Sequence, residues 1–313
     1  MTGHVKTIDA MVGRWGEFLP QLGLPQSCLI NKHTTCPLCQ GKGKFRYDDL
    51  KGRGTYICNN CGANDGMDLA MKFTNVDFKT LARQCDAFLA NSIARPHVEN
   101  EVSTEHKSEL LRETYNASSP IKIGDLADQY LKSRKIALST FPKHLRFAKN
   151  LPDGEGGFAP TMLGVVSVYP EPKGYNIHRT FLRQDGSGKA PIQSPRKFMP
   201  GKLPNGACVV LSDYVGGPLG IAEGIETALS ASILFDMPVW AALSASMLRK
   251  WRPPNTCQKV IIFGDSDAKF AGQAAAYDLA NKLSLDGVAV KVMLPDQDGV
   301  DWNDILVQTQ ERS

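Results

Sequence analysis

The chain has 313 residues, 42% of them hydrophobic and 22% charged, the composition of a globular protein with room for about two domains. No run approaches the ~18 uninterrupted apolar residues of a membrane span. Residues 1–19 carry Lys6, Asp9, Arg14 and Glu17 where a secretion signal needs an apolar core, so a cytoplasmic protein without a membrane partner is expected. The net charge of +4 is mild, but residues 173–202 hold seven Lys or Arg against the single acid Asp185, and residues 213–304 hold twelve acids against seven bases. A basic segment beside an acidic one is what a phosphate-tracking groove next to a metal site requires.

Helical spacing of Val5, Ile8, Met11, Val12, Trp15 and Leu19 predicts a lead-in helix over residues 5–19, ended by Pro20 and Pro25. The eight cysteines are too few for a disulfide scaffold, and four of them form two Cys-x-x-Cys pairs. Cys36 and Cys39, then eighteen residues, then Cys58 and Cys61 supply four thiolates on two knuckles, as a tetrahedral structural zinc site needs. His33 could replace one ligand, although four thiolates already fill the tetrahedron.

Between the knuckles, residues 41–57 read as a hairpin carrying cations and aromatics. Lys44, Arg46 and Arg53 can neutralise phosphates while Phe45, Tyr47 or Tyr56 stack on unpaired bases. Strand alternation puts Phe45 and Tyr47 on one face and Lys44 and Arg46 on the other, so the aromatic face can equally be the hairpin's own core. Residues 33–68, with Cys-Pro-x-Cys, Gly-Lys-Phe-Arg-Tyr-Asp-Asp, Gly-Arg-Gly-Thr-Tyr and Cys-Gly-x-x-x-Gly, resemble the zinc ribbon of phage and plasmid primases and primase-helicases. That resemblance implies a role in selecting the template site for initiation.

Helices are predicted at 68–73 and 78–89, then a polar linker at 91–120 with a short helix near 103–113. Beyond it, 123–136 reads as a helix, and 161–169 and 175–184 as strands of a small sheet. From residue 208 the pattern becomes strand, helix, strand, helix: strands at 209–211, 219–222, 239–242, 260–263 and 288–293, helices at 227–235 and 272–283. Short apolar strands separated by helices predict a mostly parallel sheet covered on both faces. The fold class is therefore α/β: a zinc ribbon with lead-in and following helices (1–90), the linker (91–120), a small basic α+β segment (121–207) and a C-terminal parallel sheet flanked by helices (208–313).

In that last region, Ile221-Ala222-Glu223-Gly224 delivers an acid at the end of an apolar strand, directly before a helix, and Ile262-Phe263-Gly264-Asp265-Ser266-Asp267 delivers two more. Ligands bind at such strand ends, and hard carboxylate oxygens there suit magnesium or manganese, which complete their shells with water and substrate phosphate. Asp301-Trp302-Asn303-Asp304 adds a third acidic group, with Asp301 the candidate ligand. The order of these motifs over about residues 218–306 resembles the Toprim domain of primases, topoisomerases and certain nucleases, and Glu-Gly-Ile-Glu-Thr-Ala-Leu-Ser is similar to plasmid and satellite-phage primases. The resemblance implies that Glu223 is the general acid or base and that Asp265 and Asp267 hold metal ions. Replicative primases carry an Asp four residues after the Glu where this chain has Thr227, and Asn303 stands at a position often acidic. Glu226, Asp301 and Asp304 could compensate or could serve as helix caps and solvated charges.

The basic segment, with Arg179, Arg183, Arg196 and Lys197, would line the groove for template and triphosphate. No Gly-x-x-x-x-Gly-Lys-Ser/Thr loop occurs, and Gly186-Ser187-Gly188-Lys189-Ala190 lacks the hydroxyl that contacts magnesium, so a separate helicase or replication initiator is the expected partner. The resulting expectation is a DNA primase of a phage, plasmid or other mobile element, with structural zinc and catalytic magnesium or manganese, acting on single-stranded DNA and nucleoside triphosphates. A Toprim nuclease using the same acids, and a non-catalytic single-strand-binding replication factor, are the alternatives.

Overall fold

The computed structural model describes residues 7–90, 104–170, 174–201 and 203–312, and the chain divides into two compact units between Val102 and Ser103. Lys173 and Lys202 of the basic segment lie outside the described residues, as do residues 5 and 6 of the lead-in segment and 91–103 of the polar one.

The first unit opens with two short helices, α1 (Thr7–Ala10) and α2 (Trp15–Phe18), rather than the single helix the spacing predicts. Gly13 sits between them at φ +78° and donates its N–H to Gly52 O at 2.7 Å. That bond ties the break to the ribbon, and the left-handed backbone it needs is open to glycine at little cost. The apolar face survives the break: Met11, Trp15, Phe18 and Leu19 are all buried. Strands β1 (Phe45–Tyr47), β2 (Tyr56–Cys58) and β3 (Gly62–Asn64) form an antiparallel sheet in that order. Helices α3 (Gly66–Thr74) and α4 (Phe78–Ala90) follow. Asp65 starts α3 by accepting the N–H of Asp68, satisfying one of the free donors of the first turn. Trp15 lies against the backbone at Gly54 and Gly66, where any Cβ would overlap its ring.

The second unit begins with α5 (Thr104–Asn116), whose Leu110 and Leu111 pack on Ile177 and Met199, and β4 (Ser119–Pro120). Then come α6 (Leu126–Ser133), β5 (Leu145–Pro152), β6 (Phe158–Ser167), β7 (Gly174–Phe181) and β8 (Arg196–Phe198). These strands make one antiparallel sheet in the order β4-β5-β6-β7-β8. Strand β5 was not expected, because a register shift between Ala148 and Leu151 interrupts the alternation by which strands are recognised.

The remainder is β9 (Leu219–Ala222), α7 (Ile225–Phe235), β10 (Val239–Ala241), α8 (Ala245–Leu248), β11 (Lys259–Phe263), α9 (Ala271–Leu285), β12 (Ala289–Met293) and α10 (Trp302–Glu311). The four strands are all parallel, in the order β10-β9-β11-β12. The strand expected at 209–211 is instead a crossing. Cys208 bridges Ser167 of the antiparallel sheet, while Val209 bridges Ala241 of the parallel one, so successive residues serve different sheets and no ladder forms. Helix α10 was also unexpected, and it carries Trp302 edge-on against Phe263 and Phe235 at 5.6 and 5.2 Å. Among the described residues no helix is long and apolar enough to cross a membrane.

The Trp15 contact gives a direct check on the first unit. Gly66→Ala forces a methyl into the indole and is expected to destabilise that unit by about 1–3 kcal/mol, read as a lower denaturant midpoint; an unchanged midpoint would show that the ring is free to move aside.

Candidate functional site

The four cysteines of the first unit converge. Among the described residues they are the one group of three or more metal-ligating side chains whose ligand atoms all lie within 4.8 Å of one another. Cys36 Sγ and Cys61 Sγ are 3.9 Å apart, and Cys39 Sγ and Cys58 Sγ 3.8 Å. A tetrahedron with Zn–S bonds of about 2.3 Å has edges of ~3.8 Å, so the sulfurs already stand at zinc-binding separation. Hydrogen bonds from Cys58 and Cys61 draw the Cys36 thiol well below its ordinary value, and the same bonds push Cys58 and Cys61 up. Four thiolates share this space only with a cation among them. His33 is not part of the group.

The hairpin aromatics belong to the core. Phe45, Tyr47 and Tyr56 are buried, Phe45 stacks on Tyr56 with centroids 5.5 Å apart, and Tyr56 Oη donates to Asp68 Oδ2 at 2.6 Å. They are therefore not platforms for bases. Of the candidate phosphate contacts, Arg46 pairs with Asp48 and Arg53 with Asp65, each at 3.6 Å, while Lys44 is half-buried.

In the second unit two of the acid motifs leave neighbouring strands. Ala222 of β9 pairs with Phe263 of β11, so Glu223 and Asp265 leave adjacent strands almost side by side. Burial pushes the Asp265 carboxyl up to about 8, and the charges of Glu223, Asp301 and Asp267 push in the same direction. Its Oδ1 is buried without a hydrogen-bond partner. A carboxylate so placed gains most from a cation, although among the described residues these acids do not converge into a metal-holding group as the four cysteines do. Because the folded value exceeds the ordinary one, the metal-free fold holds a proton that the unfolded chain releases, and that part of its stability is lost as pH rises through about 8.

Local structure explains how the acids are held. Asp267 Oδ2 accepts the N–H of Gly272 at 2.8 Å. A Cβ at Gly272 would lie 2.9 Å from both that oxygen and Asp265 O, so only glycine lets α9 begin this close. Asp301 caps α10, accepting from the N–H groups of Asn303 and Asp304 at 2.8 and 2.9 Å, and Asp304 Oδ2 accepts the Asp301 N–H at 3.1 Å. Asp304 is thus half of a capping box, whereas Asp301 both caps the helix and bears on Asp265. Asn303 is buried and donates from Nδ2 to Arg134 O and Ser230 Oγ at 2.8 and 2.9 Å, which ties α10 to α7.

Glu226 takes a different course from Glu223. It is 4% exposed, accepts a hydrogen bond from Tyr130 Oη, and pairs through the same Oε1 with Lys189 Nζ at 3.1 Å. Burial alone would raise its carboxyl, but Lys189, Arg196 and the Tyr130 bond hold it well below the carboxylate range. The sequence marked Lys189 only within the basic run and the Gly186–Ala190 segment, and it did not single out Tyr130.

The four basic candidates separate. Arg196 pairs with Thr180 and Lys197 with Arg179 across β7 and β8, so alternation sends Arg196 to one face and Arg179 and Lys197 to the other. Arg196 is exposed and acts on both Glu226 and Asp265. Arg179 and Lys197 instead lie over the Phe181 ring, 5.3 and 6.0 Å from its centroid. Lys197 Nζ is taken by Asp153 O and Glu155 Oε1 at 2.9 and 3.2 Å. Arg183 is exposed on the turn after β7.

Comparison with known proteins assigns domains to these regions. Residues 218–311 match the family model of the Toprim domain, residues 31–67 that of the zinc-binding domain of primase-helicase, and residues 105–210 a domain of unknown function, DUF7146. Among solved structures, the zinc-binding and RNA polymerase domains of the Aquifex aeolicus primase are similar at 16% identity, with 98% of this chain and 83% of that one covered and a TM-score of 0.43. The primase fragment of the bacteriophage T7 primase-helicase protein is similar at 15% identity, with 90% and 96% covered and a TM-score of 0.38. The domain assignments rest on the family models.

Removing zinc with a chelator, or by Cys58→Ser, is expected to leave the hairpin amides of residues 45–64 in fast hydrogen exchange, since structural zinc sites contribute folding free energy outright. Amides that stay protected without metal would show that the ribbon folds on its apolar core alone.

Proposed function

We propose that this chain, which joins a zinc-binding domain of primase-helicase type to a Toprim domain, is a DNA primase that builds short primers from nucleoside triphosphates on single-stranded DNA. The observation that carries the reading is Asp265: a buried carboxylate oxygen without a partner, crowded by Glu223, Asp267 and Asp301. In this reading Asp265 and Asp267, with Glu223 and Asp301 beside them, hold magnesium or manganese. Such an ion, when bound, neutralises charge on the reacting phosphate and the departing pyrophosphate.

The chain's own groups do the remainder. Glu223, half-buried at the end of β9, accepts the proton of the attacking 3'-hydroxyl. Arg196, on the sheet face toward the acids, meets phosphate. Lys44, Arg46 and Arg53 of the ribbon contact the template backbone, because the buried ribbon aromatics leave only cations for that task; in the second unit Arg183, exposed at the turn after β7, also meets phosphate. Arg179 and Lys197, on the far face of β7 and β8, support the sheet and are left out of the groove. A helicase or replication initiator supplies the opened strand, and the protein serves a phage, plasmid or other mobile element in the cytoplasm, in keeping with the primase-helicase type of its ribbon.

The test is incorporation of labelled nucleotides on single-stranded DNA without added primer, in magnesium or manganese. Glu223→Gln and Asp265→Asn are each expected to lower synthesis roughly 100-fold or more. Metal-dependent degradation of the template without synthesis would favour a nuclease, and tight binding with neither activity a non-catalytic factor.

A further inference from the structure

Glu226 is a buried acid that the reaction as described does not use. It lies in the first turn of α7, where the helix dipole favours a negative charge, and its carboxylate bonds Tyr130 and Lys189. Its Oε1 already has two partners. Lys189, by contrast, keeps about a third of its side chain exposed, 29% against 6% for Glu226, and an ammonium has three protons to donate. One is directed at Glu226, leaving two for an anion.

The surroundings extend the same pattern. The charge of Arg196 bears on both Glu226 and Asp265. On the β7 face beside it, Thr180 Oγ1 and His178 Nδ1 are buried without hydrogen-bond partners. Among the described residues Glu226 is the one acid paired with Lys189, and the two polar atoms without partners lie on the β7 face that carries Arg196.

We propose that Glu226 is a positioning residue: it anchors Lys189, so that the ammonium meets the phosphates of a nucleotide bound at the acid site. The primase reading enters only in naming that ligand. Its ion pair with Lys189 balances the carboxylate charge in the buried site in the absence of nucleotide.

The experiment is equilibrium binding of fluorescent ATP in magnesium to the full chain, run beside primer synthesis, for wild type, Glu226→Gln, Lys189→Met and the double variant. Glutamine keeps the size of Glu226 and an acceptor for Tyr130 while removing the charge, and thermal melts check that each variant folds. Glu226→Gln and Lys189→Met are each expected to weaken ATP binding roughly tenfold, with the double variant no weaker than Lys189→Met alone. KM for nucleotide should rise while kcat changes little, and manganese binding without nucleotide should not change. Unchanged ATP binding in Glu226→Gln overturns the proposal. So do losses that multiply in the double variant, or a matching fall in manganese affinity, which would make Glu226 a metal ligand. If Glu226→Gln fails to fold, Lys189→Met decides alone, and unchanged ATP binding there overturns the proposal. A wild-type protein that makes no primer, yet binds ATP and loses it on both substitutions, would refute the primase reading and support the anchor.

Discussion

Repulsion among carboxylates at the ends of two adjacent parallel strands is the constraint around which the second unit is organised. Asp265 is half-buried with its Oδ1 enclosed, and the charges of Glu223, Asp301 and Asp267 bear on it, an arrangement that costs stability without a cation. Several local features make sense as ways of bearing that cost. Gly272 lets α9 start close enough for its N–H to reach Asp267, the first turn of α10 neutralises part of the Asp301 charge, and Arg196 is the one cation among the principal influences on Asp265. The four thiols of the first unit present the same problem at shorter range, with sulfurs 3.8–3.9 Å apart.

Glu223 and Glu226 show how three residues of helix separate two fates for one charge. Glu223 remains at the strand end among acids, whereas Glu226, inside the first turn of α7, is surrounded by donors and cations. Glu226 is therefore no substitute in the acid cluster: its carboxylate bonds Tyr130 and Lys189.

Much of this was readable in the sequence wherever a short-range rule decided the outcome. The Cys-x-x-Cys pairs, the apolar strands ending in Glu223 and in Asp265-Ser266-Asp267, and the period of α7 and α9 each depend on neighbours within a few residues. What escaped detection depends on distant partners. The lead-in helix breaks at Gly13 because Gly52 bonds to it, β5 loses its alternation at a bulge, and residues 208 and 209 divide between two sheets. The pairing of Lys189 with Glu226 spans two sequence regions that no motif links. Two features could have been found: the alternation that sends Arg196 and Lys197 to opposite faces, and the Asp301-x-x-Asp304 capping box that starts α10.

The most direct measurement of the central claim is the melting temperature of the magnesium-free protein at pH 8, compared between wild type and Asp265→Asn with and without magnesium. If crowded acids define a cation site, asparagine relieves the repulsion: the metal-free variant should melt a few degrees above wild type, about 2–4 °C for each kcal/mol relieved in a unit of this size. Magnesium should then stabilise wild type and leave the variant unmoved. A metal-free variant that melts below wild type, or that still responds to magnesium as wild type does, would contradict the account.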